Sequence, residues 1–277
     1  MKKRRIIVIC CIVGIIVVTA AIFAAMFNLQ HISVEIVKNP SIVNSYGSSI
    51  GEDIIKSGEF PYGSNTLFSS YESNEKKIEK AYPFVKVEKM VRRFPNKMTI
   101  YVSGRMPEVV VKDSENASRW YVLDIDMKCL AVIYSVADLS NEMYEDLPVV
   151  SGAGITGIES GDFIDTNGSN ILVEVLDGIY GKDQTKSSVM SDITIDLENE
   201  KYTITLRDGN VDGSKIEING NKQIKEKVFT AYSLFKLVEH DGRFPDKQKM
   251  YFIALKDFVF ETNAKIIMKY DGEEVSF

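Results

Sequence analysis

Ser73 and Lys76 stand one helical turn apart in Ser73-Asn74-Glu75-Lys76. This is the S-x-x-K spacing in which a serine hydroxyl attacks an acyl group beside a lysine. The chemistry needs companion motifs, yet Ser191-Asp192 is followed by Ile193 and no K-T-G occurs, so the pair reads as a solvated helix face. Gly152-Ala153-Gly154-Ile155-Thr156-Gly157 spells G-x-G-x-x-G, which cradles a pyrophosphate only where the glycines open a helix inside a βαβ unit. Glu159-Ser160-Gly161-Asp162 follows instead, and the stretch reads as a connecting loop. Gly178 to Lys182 lacks phosphate-loop spacing, with Asp183 where a hydroxyl is required. Asp124 and Asp126 begin like a calcium loop, but Lys128 takes a ligand position and Cys129 the place of the glycine. His31 and His240 have no His or Cys nearby, and Cys129 lies among apolar strand residues as a small core residue would. Asn116-Ala117-Ser118 and Asn167-Gly168-Ser169 match a glycosylation pattern and read as loops. No nucleophile, base and orienting acid come together, so the expectation is a binding protein without catalytic residues, cofactor or metal.

The elements that would carry such a protein begin with a run free of charge from Ile6 to Phe27, 22 positions long. At about 1.5 Å per residue it makes a helix of roughly 33 Å, enough for a bilayer core. Lys2, Lys3, Arg4 and Arg5 precede it and act as a topology signal that keeps the first five residues in the cytoplasm. The expectation is one transmembrane helix over 6–27 in a single-pass type II membrane protein, the rest lying outside. Set apart from those four cations, 29 basic residues face 39 acidic ones, a balance that excludes nucleic acid as a partner. Only Cys129 lies beyond the apolar run, so no disulfide within the outer chain is available.

Residues 28–107 read as β-α-α-β-β. Ile32, Val34 and Ile36 alternate along an opening strand that Pro40 stops, Ser49 precedes a short helix ending at Gly58, and Asn65 to Tyr82 supplies a second helix. A long hairpin closes the unit. In its second arm Met98, Ile100 and Val102 share one face. Its first arm breaks parity, since Val85, Val87 and Val91 match Lys89 and Arg93, which asks for a bulge or for partial cover on both faces. Phe94-Pro95-Asn96-Lys97 is the turn.

From 108 to 271 the pattern is a larger mixed β domain with two helices. Its strands are expected at Trp120 to Ile125, Cys129 to Val136, Leu147 to Ser151, Ile193 to Leu197, Thr203 to Leu206, Ile216 to Ile218, Met250 to Leu255 and Ala264 to Tyr270. The helices are expected at Ile171 to Ile179 and at Lys222 to Val238, where Ile224, Val228, Ala231, Tyr232, Phe235 and Val238 keep helical spacing. Residues 272–277 are expected to be a tail.

Pro83, Val85, Arg92 and Arg93, Pro95-Asn96, Ile100, Val102 and Pro107 resemble the pattern that closes the POTRA domain of the bacterial cell-division proteins FtsQ and DivIB. The chain departs from it at Gly104-Arg105, where that family usually has Glu-Arg. Leu147-Pro148 with Gly152, and the helix after Gly220, resemble elements of the family's β domain. The resemblance implies an α+β protein with an N-terminal transmembrane helix, a POTRA domain and a β domain. It also implies a non-enzymatic scaffold at the division septum that binds FtsB/DivIC-like and FtsL-like proteins and, through them, septal peptidoglycan synthases. A membrane-tethered cell-wall enzyme or regulator, and a POTRA scaffold for sporulation or secretion, are the alternatives.

Two faces are candidates for contact. Arg92, Arg93, Pro95 and Asn96 read either as a recruitment face or as solvated strand-end charge. The last expected strand, with Ile266, Ile267, Met268, Lys269 and Tyr270 beside Tyr251 and Phe252, is the expected partner site, where unpaired N–H and C=O groups would accept an added strand. An interior or merely solvated strand is the other reading.

Overall fold

The computed structural model describes residues 12–19, 21, 22, 26, 28–63, 70–139, 143–180, 189–208, 211–256 and 266–275. The chain is α+β and divides into two compact units, residues 1–105 and 106–277.

The expected membrane span is corrected. Among the described residues no helix is long and apolar enough to cross a membrane. An uncharged run states polarity, and crossing requires in addition a helix of about 20 residues, which the described residues do not show. The single-pass placement in the cell membrane at the septum falls with the span. Lys2, Lys3, Arg4 and Arg5 lie outside the described residues.

In the first unit β1 (His31–Lys38) leads into three helices, α1 (Pro40–Asn44), α2 (Ile50–Ser57) and α3 (Glu72–Ala81). The hairpin of β2 (Val85–Arg93) and β3 (Lys97–Gly104) follows. Strand order is β1-β3-β2, with β1 parallel and β2 antiparallel to the central β3. Met98, Ile100 and Val102 of β3 are fully buried with Ile54 of α2 and Ile78 of α3. Each such burial contributes roughly 1.5–3 kcal/mol. The parity break in β2 is a bulge: the register shifts between Val87 and Lys89. Val87 then faces Val102, and beyond Glu88 it is Met90 that lies opposite Ile100. Pro40 ends β1 and also starts α1, because proline at the first helical position gives up only an N–H that has no intrahelical partner.

Gly104 is required by close approach. A Cβ there would lie 2.7 Å from the Asn39 carbonyl oxygen and from Ile42 Cβ. The Asn39 side chain also donates to the Gly104 carbonyl at 2.8 Å. Next to it, buried Arg105 donates to Glu79 at 2.9 Å, and the other oxygen of Glu79 accepts the Val87 N–H at 2.8 Å.

The second unit holds a ten-stranded mixed sheet. Its strands are β4 (Val109–Lys112), β5 (Trp120–Leu123), β6 (Cys129–Ile133), β7 (Val149–Ser151), β8 (Met190–Asp196), β9 (Lys201–Asp208), β10 (Val211–Asn219), β11 (Met250–Ala254), β12 (Ile266–Tyr270) and β13 (Glu273–Val275). Their order is β13-β12-β11-β10-β9-β8-β7-β4-β5-β6. A short helix α4 (Val136–Leu139) follows β6, while α5 (Asn167–Tyr180) and α6 (Ile224–Val238) are the two long ones. α5 links the parallel pair β7 and β8, and α6 links the parallel pair β10 and β11, as a crossover between parallel neighbours requires. Leu172, Val175 and Leu176 of α5 and Val228, Ala231 and Tyr232 of α6 share one core with Ile193, Ile204, Ile216 and Phe252 of the sheet. α5 starts from a reciprocal cap: Ser169 Oγ accepts the Thr166 N–H at 2.8 Å, and Thr166 Oγ1 accepts the Ser169 N–H at 3.2 Å.

Residues 272–277 are not all tail. Asp271 and Gly272 both have positive φ, 54° and 88°, which makes the two-residue turn that joins β12 to β13.

Candidate binding face

One face of the second unit's sheet packs under α5 and α6, and alternation along each strand sends the remaining residues to the opposite face. Cross-strand register aligns these residues in rows. One row runs Asp192, Thr205, Lys215, Tyr251, Lys269, Glu274 across β8 to β13. The next runs Thr194, Thr203, Glu217, Ile253, Ile267. Ile253 and Ile267 are half-buried neighbours, and Lys215 and Lys269 flank the half-buried Tyr251. Among the described residues neither of those two lysines has an ion-pair partner.

Glu217 anchors this face. It is 8% exposed, and its carboxylate accepts from Lys201 Nζ at 2.7 Å, from Asn219 Nδ2 at 3.0 Å and from the Tyr251 hydroxyl. Burial alone would raise the Glu217 carboxyl; the bonds from Lys201, Tyr251 and Asn219 outweigh it and hold the group below its ordinary range. Burial and the carboxylate push the Tyr251 hydroxyl upward, so the ring stays neutral and fixed as a donor. Among the described residues, the bonds from Lys201, Asn219 and Tyr251 to Glu217 position the Tyr251 ring between the two lysines.

The seven expected partner-site residues are divided by strand alternation. Met268 and Phe252 are buried in the core, and Tyr270 packs on Phe244 with ring centroids 5.2 Å apart while its hydroxyl accepts the Asp246 N–H at 3.2 Å. Ile266 also packs against the core. Only Ile267, Lys269 and Tyr251 lie on the open face. The availability of β12 as an edge is corrected as well: β12 lies between β11 and β13, and β13 pairs with Met268, Lys269 and Tyr270. Lys215, Glu217 and Ile253 were missed, although the alternation of Lys215-Ile216-Glu217-Ile218 placed the first two together on the outer face.

Arg92 and Arg93 do not make one patch. Arg92 lies opposite Met98 with its guanidinium over the Tyr71 ring at 5.4 Å, whereas Arg93 is on the other face and donates to the Tyr101 hydroxyl at 2.8 Å. Asn96 is held by Gln30, accepting the Gln30 N–H at 2.9 Å and donating from its side chain to Gln30 Oε1 at 2.8 Å. Pro95 is exposed in the turn.

In comparisons with known proteins, no family model matches the chain and no curated protein matches it. Its functional reading therefore rests on its own geometry and on the hairpin pattern.

The remaining motifs find structural explanations. Gly152, Gly154 and Gly157 all have positive φ in a loop whose Ala153 and Ile155 are buried and whose Thr156 donates to Asp113 at 2.9 Å. Ser73 and Lys76 are exposed on α3, Lys76 pairing with Glu72 at 3.0 Å. Asp124 accepts the N–H groups of Asp126 and Lys128 at 3.0 and 2.9 Å, closing its own turn. Among the described residues no three His, Cys, Asp or Glu side chains cluster as metal ligands would.

Proposed function

We propose that this chain is a non-catalytic scaffold of the bacterial division machinery. It would hold FtsB/DivIC-like and FtsL-like proteins on the β11 to β13 end of its second unit and, through them, act on septal peptidoglycan synthases. The observation that carries the reading is the row Lys215, Tyr251, Lys269 beside Ile253 and Ile267: two lysines that have no ion-pair partner among the described residues border an apolar strip on a chain of net charge −6. Such a surface suits an amphipathic segment with acidic residues, since apolar contact supplies affinity while charge complementarity sets the partner and speeds encounter. The resemblance of the 83–107 hairpin to FtsQ and DivIB supports the choice of partners.

The test is calorimetric titration of the full chain with soluble segments of the FtsB/DivIC-like and FtsL-like proteins of the same cell. Saturable binding is expected, with Ile267→Arg weakening it at least tenfold while circular dichroism is unchanged. No binding by the unaltered chain, or equal binding by Ile267→Arg, refutes the reading.

A further inference from the structure

In the first unit the start of α3 and the end of β2 border an open groove of about 620 Å³. Tyr71, Glu72 and Glu75 line it from the helix side, Met90, Val91 and Phe94 from the strand side. That volume lies in the range of ligand sites, where apolar walls carry a few polar groups that orient the occupant. Glu72 and Glu75 stand three residues apart and share one face of the helix. Glu72 is exposed and pairs with Lys76 at 3.0 Å, whereas Glu75 is half-buried. Among the described residues the Glu75 carboxylate has no hydrogen bond and no ion pair. Burial, then Glu79 and Glu72, push the group upward, and Lys76 and Arg105 offset only part of this. A second group in the wall is also uncompensated. Tyr71 is 9% exposed, and its hydroxyl is buried without a hydrogen-bond partner, an arrangement that costs stability.

We propose that this groove binds an aliphatic ammonium group, with the carboxylates of Glu75 and Glu72 on the cation and Met90, Val91 and Phe94 against its methylene chain. A cation supplies what the site lacks. An N–H donated to Glu75 gives the carboxylate the compensation that the fold denies it, and charge-assisted bonds of this kind are stronger than neutral ones. An ammonium carries three donors, enough for both carboxylates and for the Tyr71 oxygen. Arg92 also lines the groove, its guanidinium over the Tyr71 ring at 5.4 Å. Its charge confines the ammonium to the helix side and disfavours a ligand with a second cation, which leaves the strand side to an apolar chain. Two sources have this chemistry, a free alkylamine and the lysine side chain of a peptide. The inference does not rest on the scaffold reading, since the groove lies in the first unit and the partner face in the second.

Titration of the full chain, followed by the NMR shifts of its amides, tests this with three probes. They are pentylamine, a capped leucyl-lysyl-leucine tripeptide, and the same tripeptide with norleucine for lysine, which keeps the apolar chain and lacks the charge. Saturable shifts at residues 70–75 and 90–94 are expected with an ammonium probe and not with the norleucine peptide. Tighter binding of the lysine peptide than of pentylamine assigns the site to peptidyl lysine, and the reverse assigns it to a free amine. Glu75→Gln is expected to weaken the tighter probe at least tenfold. The same variant separates a ligand site from a structural role. Because the Glu75 carboxylate bonds to nothing in the fold, Glu75→Gln is expected to unfold at an equal or higher denaturant concentration. No saturable shift with either ammonium probe, an equal response to the norleucine peptide, or undiminished binding by Glu75→Gln overturns the proposal. A Glu75→Gln chain less stable than the unaltered one overturns it too. None of these results bears on the scaffold reading, whose own test reads Ile267 in the second unit.

Discussion

Asp113 gathers four donors around one buried carboxylate. The Tyr121 hydroxyl, the Thr156 hydroxyl at 2.9 Å, and the N–H groups of Glu115 and Asn116 at 2.8 and 2.9 Å all point at it. Burial would raise this group, but the four bonds reverse the effect and hold it at about 2. A carboxyl depressed on folding contributes stability above its unfolded value, near 3.8, and the contribution is lost as pH falls toward 2. Asp113→Asn is therefore expected to cost about 2 kcal/mol near pH 6, with the gap to the unaltered chain closing between pH 4 and 2. Denaturant midpoints across that range would measure it, and a gap independent of pH would contradict it. The 113–157 connection is thus pinned by a polar network that no motif announces, because its members lie 8 and 43 residues from Asp113.

At the scale of elements, tight contacts between backbones decide what the sequence must be. β3 passes so close to the start of α1 that Gly104→Ala places a methyl group against the Asn39 carbonyl. A loss of about 1–3 kcal/mol is expected, as for other overpacked positions, and thermal or chemical unfolding would show it. A neutral result would mean that α1 shifts freely. Elements with strong periodicity were legible beforehand: α6 shows its apolar stripe plainly, and the alternation of Met98, Ile100 and Val102 marks the buried face of β3. The bulge at Glu88 was foreshadowed by the broken parity of β2. Other elements were not legible. α1 is one turn long and was hidden by reading Pro40 only as a stop. β13 shows no apolar alternation of its own, since Glu273-Glu274-Val275 carries one apolar residue, and only the Asp271-Gly272 pair signals a hairpin there. The neighbours of β12 depend on pairing across the sheet, which local sequence does not encode. That is why its residues were grouped as one site when alternation divides them.

For the whole molecule, the proposed partner site lies at one end of the ten-stranded sheet, and β6 at the opposite end lies outside it. The charge-free stretch near the N-terminus plays no part in this assignment, nor does any catalytic group. The binding claim stands on Lys215, Tyr251, Ile253, Ile267 and Lys269, whose alignment follows from the registers of β10, β11 and β12. The most direct measurement is a hydrogen-exchange footprint of the full chain with and without saturating FtsB/DivIC-like and FtsL-like segments. Slowed exchange confined to residues 211–219, 250–254 and 266–270 is the predicted result. Slowing elsewhere with none in those strands, or no change at any amide, would contradict the account.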